Sequence, residues 1–144
     1  MNLQMDGRKA DNYSSNAQKI IVITEDWVNN NMFCPYCGNK YVSHFENNRP
    51  VADFFCPSCK EEYELKSKGA SISNKINDGA YNTMIERITS INNPNFFFMH
   101  YNKISLQIEN FVMVPKYFFS PDIIEKRKPL AETARRAGWT GCNI

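Results

Sequence analysis

Four of the five cysteines in the chain form two close pairs, Cys34-Pro-Tyr-Cys37 and Cys56-Pro-Ser-Cys59, with 18 residues between them. Each CxxC turn can offer two sulfurs to one ion, and the gap lets the chain fold back with the second pair. The spacing predicts a structural zinc site within residues 34–59, with Cys34, Cys37, Cys56 and Cys59 as its ligands. Cysteine fills all four positions, which leaves none open for catalysis. Gly38 supplies the permissive backbone that such turns favour. Zinc bound there would contribute on the order of 10 kcal/mol to folding the irregular stretch 29–60. A redox role for one CxxC leaves the other unexplained. His44 could replace one ligand, but reads more simply as a surface or supporting residue. Cys142 reads as a small buried hydrophobe.

A second set of residues, Asp53, Glu64 and Lys66, flanks the second cysteine pair. An antiparallel hairpin centred near Pro57–Ser58 sets Asp53 opposite Glu64. Glu64 and Lys66, two apart, then point to the same face. Two carboxylates can hold Mg²⁺, which prefers hard oxygen ligands. A neighbouring lysine can orient a water and stabilise charge growing on phosphorus. Taken alone, Glu64-Leu65-Lys66 reads first as a solvated strand face; Asp53 on the paired strand is what shifts the balance. Val51 and Phe55 share the parity of Asp53, so the reading requires a bend or bulge near the site.

The elements that must position these groups are legible in part. Residues 1–13 have no period and read as a loose arm. Ala17, Ile20, Ile21, Trp27 and Val28 predict a helix over Ser14–Val28, with Ser14, Ser15 and Asn16 as caps, although Ile20–Ile23 could also form a short strand. Pro50–Phe55 and Glu62–Ser67 read as the two strands of the hairpin. Tyr81, Met84, Ile85 and Ile88 predict an amphipathic helix capped by Asn77 or Asp78. The apolar run Asn95–Tyr101 suits a central strand covered on both faces, with Phe96–Phe98 in the core. Ile104–Val114 would supply one or two neighbouring strands, and short helices are expected near Pro121–Lys126 and Leu130–Ala137. The order predicts an α/β fold with one mixed sheet.

The chain has 144 residues, 42% of them hydrophobic and 22% charged, and a net charge of +2. That length buries roughly two-thirds of the unfolded surface, enough for one domain without disulfides. No apolar run approaches the ~20 residues of a membrane-spanning helix. Met1–Asn16 lacks the apolar core of a signal peptide, so a cytoplasmic protein with reduced thiols is expected. Any DNA-binding surface must come from clustered basic residues rather than from net charge.

Asp53 followed by Glu64-Leu65-Lys66 resembles the PD-(D/E)XK nuclease motif. The surrounding sequence resembles the DpnI-like, methyl-directed type II restriction endonucleases of that superfamily. The resemblance is carried by Phe45-Glu-Asn-Asn-Arg-Pro-Val-Ala-Asp53, Ile76-Asn-Asp-Gly-Ala-Tyr81, Asn93-Pro-Asn-Phe-Phe-Phe98, Ala134-Arg-Arg-Ala-Gly-Trp139 and the CxxC pairs. It runs from about Ser14 to the last residue. It implies a PD-(D/E)XK restriction-endonuclease-like core, a mixed sheet flanked by helices with an inserted four-cysteine zinc site. It also implies Mg²⁺-dependent cutting of double-stranded DNA at GATC sites methylated on adenine N6. Asp53 and Glu64 would be the magnesium ligands and Lys66 the catalytic lysine. Members of this family continue into a winged-helix DNA-binding domain, so residues 1–144 are expected to be the nuclease domain alone.

The candidate DNA reader is Lys126–Trp139. Between Lys116 and Arg136 stand six basic residues (Lys116, Lys126, Arg127, Lys128, Arg135 and Arg136) against three acidic ones. Arg135 and Arg136 would contact phosphate or guanine, and Trp139 would cover the methyl group, unless Trp139 is a core residue and the arginines are surface charges. Burying one methyl yields only ~0.8 kcal/mol, so strict methyl dependence needs several readings or rejection of the bare amine. Lys68, Ser71 and Lys75 are weaker candidates for backbone contact. Two other classes remain open. One is a shortened zinc-stabilised DNA-binding module with weak or lost cutting, and the other is a structural zinc-ribbon protein.

Overall fold

Asn95–Tyr101 (β5) is buried at all seven positions. The pleat divides its side chains between two hydrophobic clusters. Phe97 and Met99 face one way with Ile23, Trp27 and Val28 of the first helix. Phe96 and Phe98 face the other way with Met84 and Ile88 of the second. A strand covered on both faces needs no polar alternation, which is why five of its seven residues are apolar, with Asn95 and His100 buried beside them. The structure is a computed structural model and describes residues 1–46 and 52–144.

A five-stranded mixed sheet runs in the order β1-β2-β3-β5-β6, formed by Ser43–His44 (β1), Phe54–Phe55 (β2), Glu62–Lys68 (β3), β5 and Ile108–Val114 (β6). β3 and β5 are parallel, from Tyr63↔Asn95 to Lys68↔His100, and the other pairs are antiparallel. The β3-to-β5 crossover carries Asn77–Ala80 (β4) and the helix Tyr81–Thr89 (α2). The helix Asn16–Asn31 (α1) covers the opposite face. A second, antiparallel sheet has the order β4-β8-β7, with Glu125–Lys126 (β7) and Gly141–Asn143 (β8). The fold is therefore α/β with two sheets, one of them mixed, rather than one.

Several expectations are corrected. The arm before α1 is docked. The Trp27 indole donates to Asn2 O at 2.8 Å, Met5 and Ala10 are buried, and Leu3 and Met5 hydrogen-bond to the β5–β6 turn. α1 continues to Asn31, past Val28. Asn77 and Asp78 do not cap α2; they belong to β4, and Ala80 stands at the cap. The pairing of β4 with β8, more than sixty residues away, overrides the local capping preference of the Asn-Asp pair. The two late helices are absent. Pro121–Ile123 is one 3₁₀ turn that leads into β7, and Leu130–Gly138 is a chain of tight turns. Pro129 and Gly138, with its positive φ of 77°, punctuate a segment too short to propagate a helix. Of the strand expected over Pro50–Phe55, only Phe54–Phe55 is a strand, and residues 47–51 lie outside the described residues.

Candidate catalytic and metal-binding sites

The two cysteine pairs form one cluster, with all four sulfurs within 4.8 Å of one another. Cys34 Sγ lies 3.6 Å from Cys59 Sγ, and Cys37 Sγ 3.6 Å from Cys56 Sγ. The pairs adopt the same turn. Gly38 N donates to Cys34 O and Lys60 N to Cys56 O, each at 2.9 Å. Gly38 (φ 77°) and Lys60 (φ 67°) then occupy equivalent left-handed positions. The first turn follows α1 and the second joins β2 to β3, so the cluster pins the helix to the hairpin. Burial pushes the Cys59 thiol up to about 12, while the Asn39 backbone amide draws Cys37 down to about 7. Four soft donors crowded at this distance suit a tetrahedral zinc ion, which would ionise all four. His44 stands apart from the sulfurs, with Nε2 2.7 Å from Glu25 Oε2. Cys142 is fully buried in the second hydrophobic cluster, as expected.

The second cysteine turn sets the register of the hairpin. Phe54 pairs with Tyr63 and Phe55 with Glu62, and continuing that register by one residue puts Asp53 opposite Glu64. The required bend falls at Asp53 itself. Its carboxylate turns in along the strand and accepts from Leu65 N at 2.7 Å. Burial, opposed by that hydrogen bond and assisted by Glu64 and Glu25, raises the Asp53 carboxyl to about 6.

Glu64 and Lys66 project to the α2 face of β3, because their register partners Phe96 and Phe98 belong to the α2 cluster. Lys66 Nζ lies 2.7 Å from Glu64 Oε1 and 2.8 Å from Asp78 Oδ1. Burial opposes the charge on Lys66, but Glu64 and Asp78 outweigh it and hold the ammonium up to about 12. Arg87, from α2, brings Nε to 2.9 Å from Glu64 Oε2. That contact is one of charge: the N–H is not aligned with the oxygen, and neither atom has a hydrogen-bond partner among the described residues. Asp78 Oδ2, also buried, has none either. Glu64, Lys66, Asp78 and Arg87 line a cavity of about 230 Å³. Buried carboxylate oxygens left without donors are the kind of group a hard divalent cation satisfies.

Asp78 and Arg87 were not legible as site residues. Asp78 looked like a helix cap, and Arg87 is the polar member of an amphipathic helix. Ala80 connects this cavity to a second one of about 250 Å³, lined on its other side by Tyr81, Lys126 and Trp139. Trp139 is half-buried, and the exposed Arg136 guanidinium lies 4.7 Å over its ring. Lys126 Nζ lies 5.2 Å over Tyr81. Arg135 is exposed on the same turn, and Lys68 is half-buried on the strand face that carries Glu64 and Lys66. Ser71 is exposed on the loop beyond β3. Two of the basic residues are engaged elsewhere. Lys75 pairs with Glu125 at 2.8 Å, and the largely buried Lys116 pairs with Glu61 at 2.9 Å. No helix among the described residues is long and apolar enough to cross a membrane.

These features define an α/β protein with a four-cysteine cluster that could hold a metal ion, joined to a strand that carries an acid–lysine pair in a lined cavity. A family model described as "DpnI: Dam-replacing family" matches residues 1–144, the whole chain, and the protein belongs to that family. It is thereby a DpnI-like restriction endonuclease by descent.

Proposed function

We propose that the chain is a Mg²⁺-dependent endonuclease that hydrolyses phosphodiester bonds in double-stranded DNA at N6-adenine-methylated GATC sites, on a PD-(D/E)XK core formed by β2, β3, β5 and β6 with α1 and α2. The observation that carries this reading is the convergence of Glu64 and Lys66 on one strand face, with Asp53, in the bend just before β2, bonded to Leu65 N between them. Residues 1–144 are read as one nuclease domain, with zinc at residues 34–59 as its architectural ion.

Asp53 and Glu64 are the residues that would hold the divalent ion. When bound, that ion supplies Lewis acidity to the phosphate and acidifies a water. The hydrogen bond from Leu65 N fixes one oxygen of Asp53 and leaves the other available. Lys66 stays protonated across the working pH range, so it donates hydrogen bonds. It orients the attacking water and offsets the negative charge that develops on the phosphoryl oxygens. Arg87 is the other cation of the cavity and suits a phosphate oxygen. Trp139 and Tyr81 offer aromatic surface to a base edge carrying a methyl group, with Arg135, Arg136 and Lys68 as candidate phosphate contacts. Lys75, held by Glu125, is the weakest of the candidate contacts.

The test uses two plasmids that differ only in adenine methylation at GATC, incubated with Mg²⁺ and the zinc-loaded chain, with Lys66→Ala as control. Cutting of the methylated plasmid alone, abolished by Lys66→Ala and by EDTA, is the expected result. Equal cutting of both plasmids removes methyl selection from these residues. Methyl-dependent binding without cutting, from folded protein, overturns the nuclease reading in favour of a DNA-binding module.

A further inference from the structure

Asp78 lines the cavity beside Glu64 and comes from outside the β2–β3 hairpin. Its side chain is only 7% exposed. Oδ1 accepts from Lys66 Nζ at 2.8 Å and from Gly79 N at 2.6 Å, which fixes the carboxylate against its own backbone. Its strand, β4, is bonded to β8, with Asp78 opposite Cys142 and Ala80 opposite Gly141. Just before β8, Thr140 O accepts from Tyr81 N, and the turn carrying Arg136 and Trp139 leads directly into this pairing. Lys66 therefore has two anchors, Glu64 on its own strand and Asp78 on the small sheet.

We infer that Asp78 is a positioning residue for Lys66, holding its ammonium toward the catalytic cavity and tying it to the strand pair that bears the Trp139 turn. The inference rests on the nuclease reading above. Its physical basis is competition for Glu64. If Glu64 is committed to another cation, Lys66 loses part of that partner, and Asp78 remains as a buried anion with a fixed orientation. A lysine stem has four rotatable bonds, and without a second anchor its head would sample several directions. The charged groups around Lys66 are Glu64 on β3, Asp78 on β4, Arg87 on α2 and Asp53 beside β2. Removing the Asp78 carboxylate leaves Lys66 Nζ with Glu64 alone as its ion-pair partner among the described residues.

The experiment compares the zinc-loaded wild-type chain with Asp78→Asn, Asp78→Glu and Lys66→Ala. It measures single-turnover cleavage of methylated DNA in Mg²⁺, DNA affinity without Mg²⁺, and, at one pH and without metal at the carboxylates, the side-chain order of Lys66 by NMR relaxation of its ¹³Cε group. Asp78→Asn is expected to slow cleavage about tenfold or more while leaving DNA affinity within about twofold. It should also lower the order of the Lys66 ¹³Cε group, since one of its two anchors is gone. Asp78→Glu, which keeps the charge, should recover rate and side-chain order part-way toward wild type. If the amide variant does not fold, Asp78→Ser takes its place with the same expectations. Wild-type cleavage, or an unchanged Lys66 side-chain order, in the neutral variant overturns the positioning role. So does an Asp78→Glu variant no better than Asp78→Asn. The nuclease reading fails separately, through a Lys66→Ala variant that still cuts. The Lys66 side-chain order needs no turnover, so it judges the Asp78 contact even then.

Discussion

Tyr63 Oη lies 3.0 Å from Cys34 Sγ, and the residue after Tyr63 is Glu64. The cysteine cluster and the strand that carries Glu64 and Lys66 thus share a side chain at their junction. The phenol is fully buried, and its ring stacks on Phe97 with centroids 4.7 Å apart and planes within 4°. Burial, then the bond to Cys34, raises the hydroxyl pKa, so it stays a donor. A donor to a metal-bound thiolate stabilises its charge and fixes its direction. Tyr63→Phe keeps the stack and deletes the bond. It is expected to weaken zinc about 10-fold or more in competition with a chelator, while the circular dichroism of the zinc-loaded form stays unchanged. Unchanged zinc affinity would reduce Tyr63 to a packing residue.

The matched turns of the cluster separate backbone strain from metal binding. Gly38 adopts φ 77° without cost, whereas Lys60 holds φ 67° with a Cβ. Lys60→Gly is expected to raise stability by a few tenths to about 1 kcal/mol, and Gly38→Ala to lower it by about 1 kcal/mol, in urea denaturation of the zinc-loaded chain. No atom lies within 4 Å of a Cβ built on Gly38, so the cost there would be conformational and not a clash. A stabilised Gly38→Ala variant would contradict the equivalence of the two turns.

Zinc removal should unpick more than the turns. The cluster joins the end of α1 to the β2–β3 connection, and the stretch between the cysteine pairs has little other regular structure among the described residues. Cys56→Ser is expected to reduce bound zinc from about one ion per chain to a minor fraction and to abolish cleavage through loss of fold, read by metal analysis and by thermal melting. Retained melting cooperativity without zinc would show that the hydrophobic clusters alone hold the sheet.

The parts of this structure that were legible in the sequence are those in which local pattern and tertiary demand agree. Asn95–Tyr101 is mostly apolar because both faces of β5 are covered, so composition reports position. The cysteine pairs carry their own geometry, and their spacing sets the hairpin register that brings Asp53 opposite Glu64. Asp78 was hidden for the converse reason. Asn77-Asp78-Gly79 has the composition of a cap or turn, and only pairing with Gly141–Asn143 makes it a strand. The segment after Ile124 carries short apolar spacings that suit a helix, but Pro129, Gly138 and the β7–β8 pairing divide it into turns. Ion pairs such as Lys75–Glu125 join residues fifty apart and leave no local trace.

Asp53 ties stability and function to pH in opposite senses. Its unfolded pKa is 3.8 and its folded pKa about 6, so burying the charge destabilises the native state. That cost is absent below about 3.8, grows as pH rises through the interval to 6, and is fully present above it. Asp53→Asn keeps an acceptor for Leu65 N and removes the charge. It is expected to stabilise the metal-free fold by on the order of 1–3 kcal/mol at about pH 8 and by little at about pH 4, measured by urea denaturation. It should also abolish cleavage. In the wild type, cleavage should decline as pH falls through about 6, because the protonated carboxyl is a poor ligand for a hard cation. Destabilisation of Asp53→Asn in the alkaline buffer would contradict the buried-charge account.

Trp139 is where packing and recognition can be told apart. A Cβ built on Gly141 would meet the indole at 2.8 Å, so the ring lies close over that strand, while Arg136 covers it at 4.7 Å. Its remaining surface lines the cavity shared with Tyr81 and Lys126. Covering a methyl group yields ~0.8 kcal/mol, about fourfold in preference, and the two methyls of a symmetric site together give roughly 15-fold. Trp139→Ala is therefore expected to reduce the ratio of methylated to unmethylated cleavage by a factor within about that range. Arg136→Ala should instead weaken binding to both DNAs alike and lower the salt slope of affinity by about one. The measurement is cleavage of fully methylated, hemimethylated and unmethylated duplexes at several salt concentrations. A Trp139→Ala variant that melts several degrees lower with an unchanged methylation ratio would make the indole a packing residue and move methyl reading to other side chains.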